Sequence, residues 1–92
     1  MFYVYVLKSQ KDGKLYIRYT SDLKRRFSEH NKGQSLSTKN RTPLILVYYE
    51  SYHSSRDART REAKLKKFKN SYTELKKRLQ HSLIGDKTID KT

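Results

Sequence analysis

The stretch FYVYVLKSQKDGKLYIRYT, Phe2 to Thr20, decides how the rest of the chain is read. Phe2 to Leu7 alternates two faces and is dense in residues that favour extended backbone, the pattern of a strand. Asp12-Gly13 is a strong hairpin signal, because glycine accepts the positive φ that tight turns demand. Lys14 to Tyr19 is then a second strand, antiparallel to the first. Phe2, Val4 and Val6 share one face of the first strand, and Tyr3, Tyr5 and Leu7 the other. The valine face is the expected core. In the second strand Tyr16 and Arg18 share a face, opposite Leu15, Ile17 and Tyr19, so Tyr5 and Tyr16 are candidates to meet across the hairpin. Arg18, a bulky charge between two tyrosines, is either an ordinary exposed strand residue or a working part of a site.

Downstream, Thr20 and Ser21 offer a hydroxyl N-cap with Asp22 in the first turn. A helix is expected from Asp22 to about Asn31, ended by Lys32-Gly33. Gly33 to Thr42 is polar and aperiodic, and reads as a mobile loop carrying Lys39 and Arg41. Pro43 opens LILVYYES, a third strand. Ser54-Ser55 caps a long charged helix from about Arg56 to Lys69, and Asn70-Ser71 interrupts it. Tyr72 to Ser82 is a third helix, with Leu75, Leu79 and Leu83 spaced by four. The expectation is one α+β domain over residues 1–83, a small three-stranded antiparallel sheet flanked by helices in the order β-β-α-β-α-α. Residues 84–92 are expected to form a frayed polar tail.

Twenty-two lysines and arginines against nine acids give a net charge of +13 in 92 residues. Such an excess repels itself and destabilises a compact fold, so it points to a polyanionic partner. The chain holds no cysteine, which excludes disulfides and thiolate metal sites. No apolar run is long enough to span a bilayer and no signal peptide is evident, so a cytoplasmic location is expected. Eight tyrosines imply a core that borders on something polar.

Three elements carry chemically capable side chains near their apolar stripes. On the first helix, Arg26 and His30 share a face with Leu23 and Phe27. On the second, Glu62 falls on one face with Ala58 and Leu65. The hairpin adds Tyr5 and Tyr16. Taken singly each is ordinary: a snorkelling arginine, an edge histidine, a solvated acid in i,i+4 pairs, stacked surface tyrosines. Together they ask for a common cause.

Tyr3-Val4-Tyr5 and, about ten residues on, Tyr16-Ile17-Arg18 resemble the two-part signature of the GIY-YIG nuclease superfamily. The likeness continues through YVYVLKS, DGKLYI, YTSDLKRR, SEHN, the Thr38, Lys39, Arg41 and Pro43 positions, LVYYE, and Ala58, Arg61, Glu62 and Lys66. It is similar to small stand-alone bacterial members and to the N-terminal endonuclease domain of the excinuclease. The resemblance implies a divalent-metal-dependent endonuclease that cuts DNA phosphodiester bonds, with weak sequence preference and a role in repair or recombination. It makes Tyr5 and Tyr16 the tyrosines of the two half-motifs. Arg26 and His30 match the arginine of the first helix and the position four residues later. Glu62 matches the family's single protein metal ligand, holding one Mg2+ or Mn2+ ion. Asn70 is a candidate match for a polar residue that follows the glutamate in some members. Tyr16 or His30 would accept or relay the proton of the attacking water.

The pattern's glycine is replaced by Arg18. That arginine either adds a phosphate contact, fills the pocket and weakens catalysis, or is a tolerated change. The expected DNA contacts are Arg18, Lys24, Arg25, Lys39, Arg41, Lys66 and Lys69. Branched, nicked or single-stranded DNA is the expected partner, with RNA less favoured, no membrane, and room for a protein partner that supplies targeting. The competing expectation is a nucleic-acid-binding module whose cleavage Arg18 has disabled.

Overall fold

The computed structural model describes residues 1–84. In chain order its elements are β1 (Phe2–Ser9), β2 (Leu15–Thr20), α1 (Leu23–Asn31), β3 (Leu44–Tyr52), α2 (Ser55–Lys67), α3 (Lys69–Arg78) and α4 (Gln80–Ile84). The three strands form one antiparallel sheet in the order β2-β1-β3, flanked by helices, the α+β arrangement expected.

Both faces of β1 are buried, not the valine face alone. Val4 and Val6 pack with Ile17, Ala58, Leu65, Leu75 and Leu79, under α2 and α3. Tyr5 and Leu7 pack with Leu44, against Leu23 and Phe27 of α1. A central strand covered on both sides explains the unbroken apolar and aromatic run of Val4 to Leu7. Each such aliphatic side chain taken from water contributes roughly 1.5–3 kcal/mol.

The hairpin turn is held from inside. Gly13 takes φ +73°, as its place in the turn requires. Ser9, fully buried, accepts bonds on Oγ from the N–H groups of Lys11 and Asp12 at 3.1 and 3.2 Å. The same Oγ donates to the Arg41 carbonyl at 2.6 Å, tying the hairpin to the segment after α1. The register pairs Tyr5 with Arg18 and Leu7 with Tyr16. Tyr5 and Tyr16 therefore share a face as diagonal neighbours rather than meeting directly.

Several expected boundaries move. Asp22, not a hydroxyl residue, caps α1, its carboxylate accepting from the Arg25 N–H. Ser54 caps α2 as expected. The chain breaks at Phe68, which is extended at φ −107° and ψ 115°, whereas Asn70 and Ser71 lie inside α3. The expected third helix starts earlier and divides at Leu79 into α3 and α4. Of the tail expected from residue 84 on, residues 85–92 lie outside the described residues.

The segment between α1 and β3 is anchored rather than loose. Ser35 and Thr38 are buried, and Arg41 pairs with Asp12 at 3.1 Å. Asn31, the last residue of α1, donates from Nδ2 to the Leu44 carbonyl at 3.0 Å and accepts on Oδ1 from the Leu44 N–H at 2.8 Å. That side chain mimics a strand partner and fixes where β3 begins. Among the described residues, no helix is long and apolar enough to cross a membrane.

Candidate active site

The site is built on Tyr5, in the middle of the central strand and fully buried. Its hydroxyl lies 2.9 Å from Nε2 of His30, and the two rings meet edge-on at 65°. Nδ1 of His30 lies in turn 2.7 Å from Oγ1 of Thr38. His30 and Thr38 are also fully buried. His30 reaches Tyr5 because it stands seven residues after Leu23, on the stripe that α1 turns toward the sheet.

Burial dominates the acid–base character of the pair. It pushes Tyr5 up to about 12, with the Arg26 and Arg18 charges opposing and those of Glu62 and Glu29 adding to the rise. It pulls His30 down to about 4, helped by Arg26 and Arg18 and opposed by Glu29. Both groups are neutral at pH 7.

Four further charges thus act on the Tyr5 hydroxyl from three elements. Arg26, on α1, is held by Glu29 at 2.9 Å and by Ser35 Oγ at 3.3 Å. About a third of its side chain stays exposed, so the oriented guanidinium is reachable from solvent. Arg18 sits across the strand pair from Tyr5, donates to the Ile17 carbonyl at 2.8 Å, and holds its guanidinium 5.7 Å from the Tyr16 ring centre. Arg18 therefore neither projects freely nor fills the space over Tyr5, but lies along the β2 edge. It lines a groove of about 430 Å³ with Leu15, Ile17, Leu65, Lys66 and Tyr72. Glu62, on α2, pairs with Lys66 at 3.1 Å. Tyr16 is half-buried and donates to Asp12 Oδ2 at 3.3 Å.

Of the expected site residues, Tyr5, Arg26, His30, Arg18 and Glu62 fall into one electrostatic neighbourhood, and Tyr16 joins it through Arg18. The expected contact residues are more dispersed. Lys24 borders a groove of about 490 Å³ with Tyr3, Phe27, Leu46 and Tyr49. Arg25 pairs loosely with Asp22 at 3.7 Å, Lys66 with Glu62, and Arg41 with Asp12. Lys39 and Lys69 are exposed. Asn70 lines a different cleft with Arg61, Ser71 and Arg78.

Three features escaped the sequence. Thr38 sits in a polar aperiodic stretch, where nothing marks it as a partner for His30. Glu29 and Ser35 orient Arg26 from off the apolar stripe. Glu50 accepts from Tyr48 and Tyr52 at 2.5 Å each and from Arg61 at 3.0 and 3.1 Å, joining β3 to α2. Burial raises Glu50, but the bonds from Arg61, Tyr48 and Tyr52 outweigh it and hold its carboxyl below the usual range. The alternation Tyr48, Glu50, Tyr52 on one strand face was the available signal for this network.

The donor chemistry fits one hard divalent ion of modest demand. No group of three or more histidine, cysteine, aspartate or glutamate side chains gathers among the described residues, so an ion held at Glu62 would find a single carboxylate there. Magnesium, which keeps most of its waters, suits such a site better than zinc, which takes several nitrogen or sulfur ligands.

Comparison with known proteins gives a consistent pattern. The description "GIY-YIG catalytic domain" matches residues 1–79. UPF0213 protein SH2523 of Staphylococcus haemolyticus is 42% identical over 67 residues, which cover 72% of this chain and 80% of that protein. UPF0213 protein VNG_2274C of Halobacterium salinarum is 39% identical over 75 residues, covering 80% of this chain and 96% of that one. The solution NMR structure of UPF0213 protein BH0048 from Bacillus halodurans is similar at a TM-score of 0.51 and 32% identity, covering 82% of this chain and 81% of that one.

Proposed function

The chain belongs to the GIY-YIG catalytic-domain family, a family of the nuclease superfamily, and on that premise we propose that it is a divalent-metal-dependent endonuclease hydrolysing DNA phosphodiester bonds with weak sequence preference. One observation supports the reading in this chain's own residues: the Tyr5 hydroxyl lies 2.9 Å from Nε2 of His30, on the helix that also carries the oriented Arg26, and Tyr5 is paired across the strands with Arg18.

Arg26 clamps the scissile phosphate. Its fork is already aimed by Glu29 and Ser35, so little orientation is lost on binding. Glu62 would hold a single Mg2+ or Mn2+ ion, and that ion would supply charge stabilisation for phosphodiester hydrolysis. Lys66 must release Glu62 or share it for this to happen. Of the two candidate proton acceptors, burial disfavours His30, whose ring nitrogens are both engaged. Tyr16 is the more accessible group, half-buried with the Arg18 guanidinium 5.7 Å from its ring centre. Tyr5 holds its hydroxyl in place between His30 and the cations.

Lys24, Arg25, Lys39, Arg41, Lys66 and Lys69 follow the phosphate backbone, which gives salt-dependent binding without base reading. Branched, nicked or single-stranded DNA is the substrate class of this reading, with the protein working in cytoplasmic repair or recombination alone or with a protein partner.

A binding module is the second reading, motivated by one position: Arg18, the cross-strand register partner of Tyr5, stands where the family's pattern has glycine. The two readings separate when duplex, single-stranded and branched DNA are incubated with the chain, with and without Mg2+. Metal-dependent cutting supports the nuclease. Tight binding with no cutting of any substrate supports the module.

A further inference from the structure

The buried chain of contacts behind Tyr5 has a direction. Tyr5 can donate to His30 Nε2 while His30 Nδ1–H donates to Thr38. Alternatively, Thr38 donates to Nδ1 while Nε2–H donates to Tyr5. Each arrangement leaves one buried hydroxyl proton without an acceptor in this chain of three. In the first it is the threonine's, in the second the phenol's. A phenol is the more acidic hydroxyl and the better hydrogen-bond donor, and imidazole nitrogen is a strong acceptor, so orphaning the phenol costs more.

We propose that Thr38 is a positioning residue: by accepting from His30 Nδ1–H it fixes the ring tautomer in which Nε2 is bare and takes the Tyr5 proton. With its proton committed to His30, the Tyr5 oxygen can accept a further bond but cannot donate one. The logic is that of a third group orienting a histidine, which in turn orients a hydroxyl. The inference rests on the proposed function only in placing Tyr5 at the reaction centre. The tautomer itself is a property of the folded chain.

Ring-nitrogen NMR in a His53→Gln, His81→Gln background reads His30 alone. The expected spectrum at neutral pH shows a protonated Nδ1 and a bare Nε2. Thr38→Ser should keep it, and Thr38→Val should move the ring toward the other tautomer. A protonated Nε2 in the parent overturns the proposal whether or not Thr38→Val folds. So does a Thr38→Val ring spectrum identical to the parent's. Where cleavage is measurable, Thr38→Val should lower kcat by roughly ten- to a hundredfold with KM little changed, the scale seen when a histidine loses its orienting partner, and Thr38→Ser should restore it. Absence of any nuclease activity would count against the proposed function and leave the spectroscopic test intact.

Discussion

Tyr5 and Arg18 are direct partners across the β1–β2 pair, so the arginine at the motif's glycine position is the cross-strand neighbour of the first motif tyrosine. Its guanidinium is turned along the strand edge, where it bonds the Ile17 carbonyl and lies beside Tyr16. This geometry predicts that Arg18→Gly weakens DNA binding and lowers the salt slope by about one. The fold should lose roughly 0.5–1 kcal/mol, the usual cost of glycine within a strand. Titrations at several salt concentrations, with urea denaturation alongside, check both. Cleavage that rises in Arg18→Gly would instead put the disabled-nuclease reading first.

His30 predicts a pH dependence of stability. Its folded pKa of about 4 lies below the ordinary 6.5, so between those values the unfolded chain binds the extra proton. The stabilisation is full above pH 6.5 and is lost as pH falls toward 4, amounting to roughly 3 kcal/mol. Glu50, also held below its usual range, adds a further loss only at the acid end, below its unfolded value of 4.5. Denaturation across this range should show the fall beginning near neutrality in the parent. In His30→Gln, stability should be flat down to the carboxylate range. An equal fall in both would remove His30 as the cause.

The fold was largely legible because alternation and helical stripes report which side of an element is apolar. They placed the hairpin, α1, β3 and α2, and put Arg26, His30 and Glu62 on inward margins. They did not show that both faces of β1 are covered, since a tyrosine face reads equally well as half-exposed. Asn70 and Ser71 looked like a break because both are poor helix formers. The break falls instead at Phe68, half exposed, where the chain turns so that Leu75 and Leu79 can join Leu65 under the sheet. Thr38 and Asn31 were invisible for another reason. Their roles come from the reach of single side chains across the fold, to His30 and to the Leu44 backbone, and no local pattern encodes that.

Lys39 is exposed on the segment between α1 and β3, and no ion pair of the described residues engages it. Lys39→Ala should reduce the dependence of log affinity on log salt by about 0.7–0.9, one phosphate contact. Lys77, already paired with Glu74, serves as the comparison and should change it little. Equal effects from both would mean that DNA senses the overall charge of +13 and not a defined track.

The most direct measurement is single-turnover cleavage by the parent and by Glu62→Gln, across a magnesium titration, with metal-free DNA binding followed in parallel. Glu62→Gln removes the charge that would hold the ion and keeps the side chain's size. The expected result is magnesium-dependent cleavage by the parent and a loss of roughly a thousandfold or more in the variant, as when several kcal/mol of charge stabilisation disappear, with DNA affinity unchanged. Cleavage by Glu62→Gln at the parent's rate, or by the parent in chelator, would contradict the assignment of Glu62 and with it the metal-dependent mechanism.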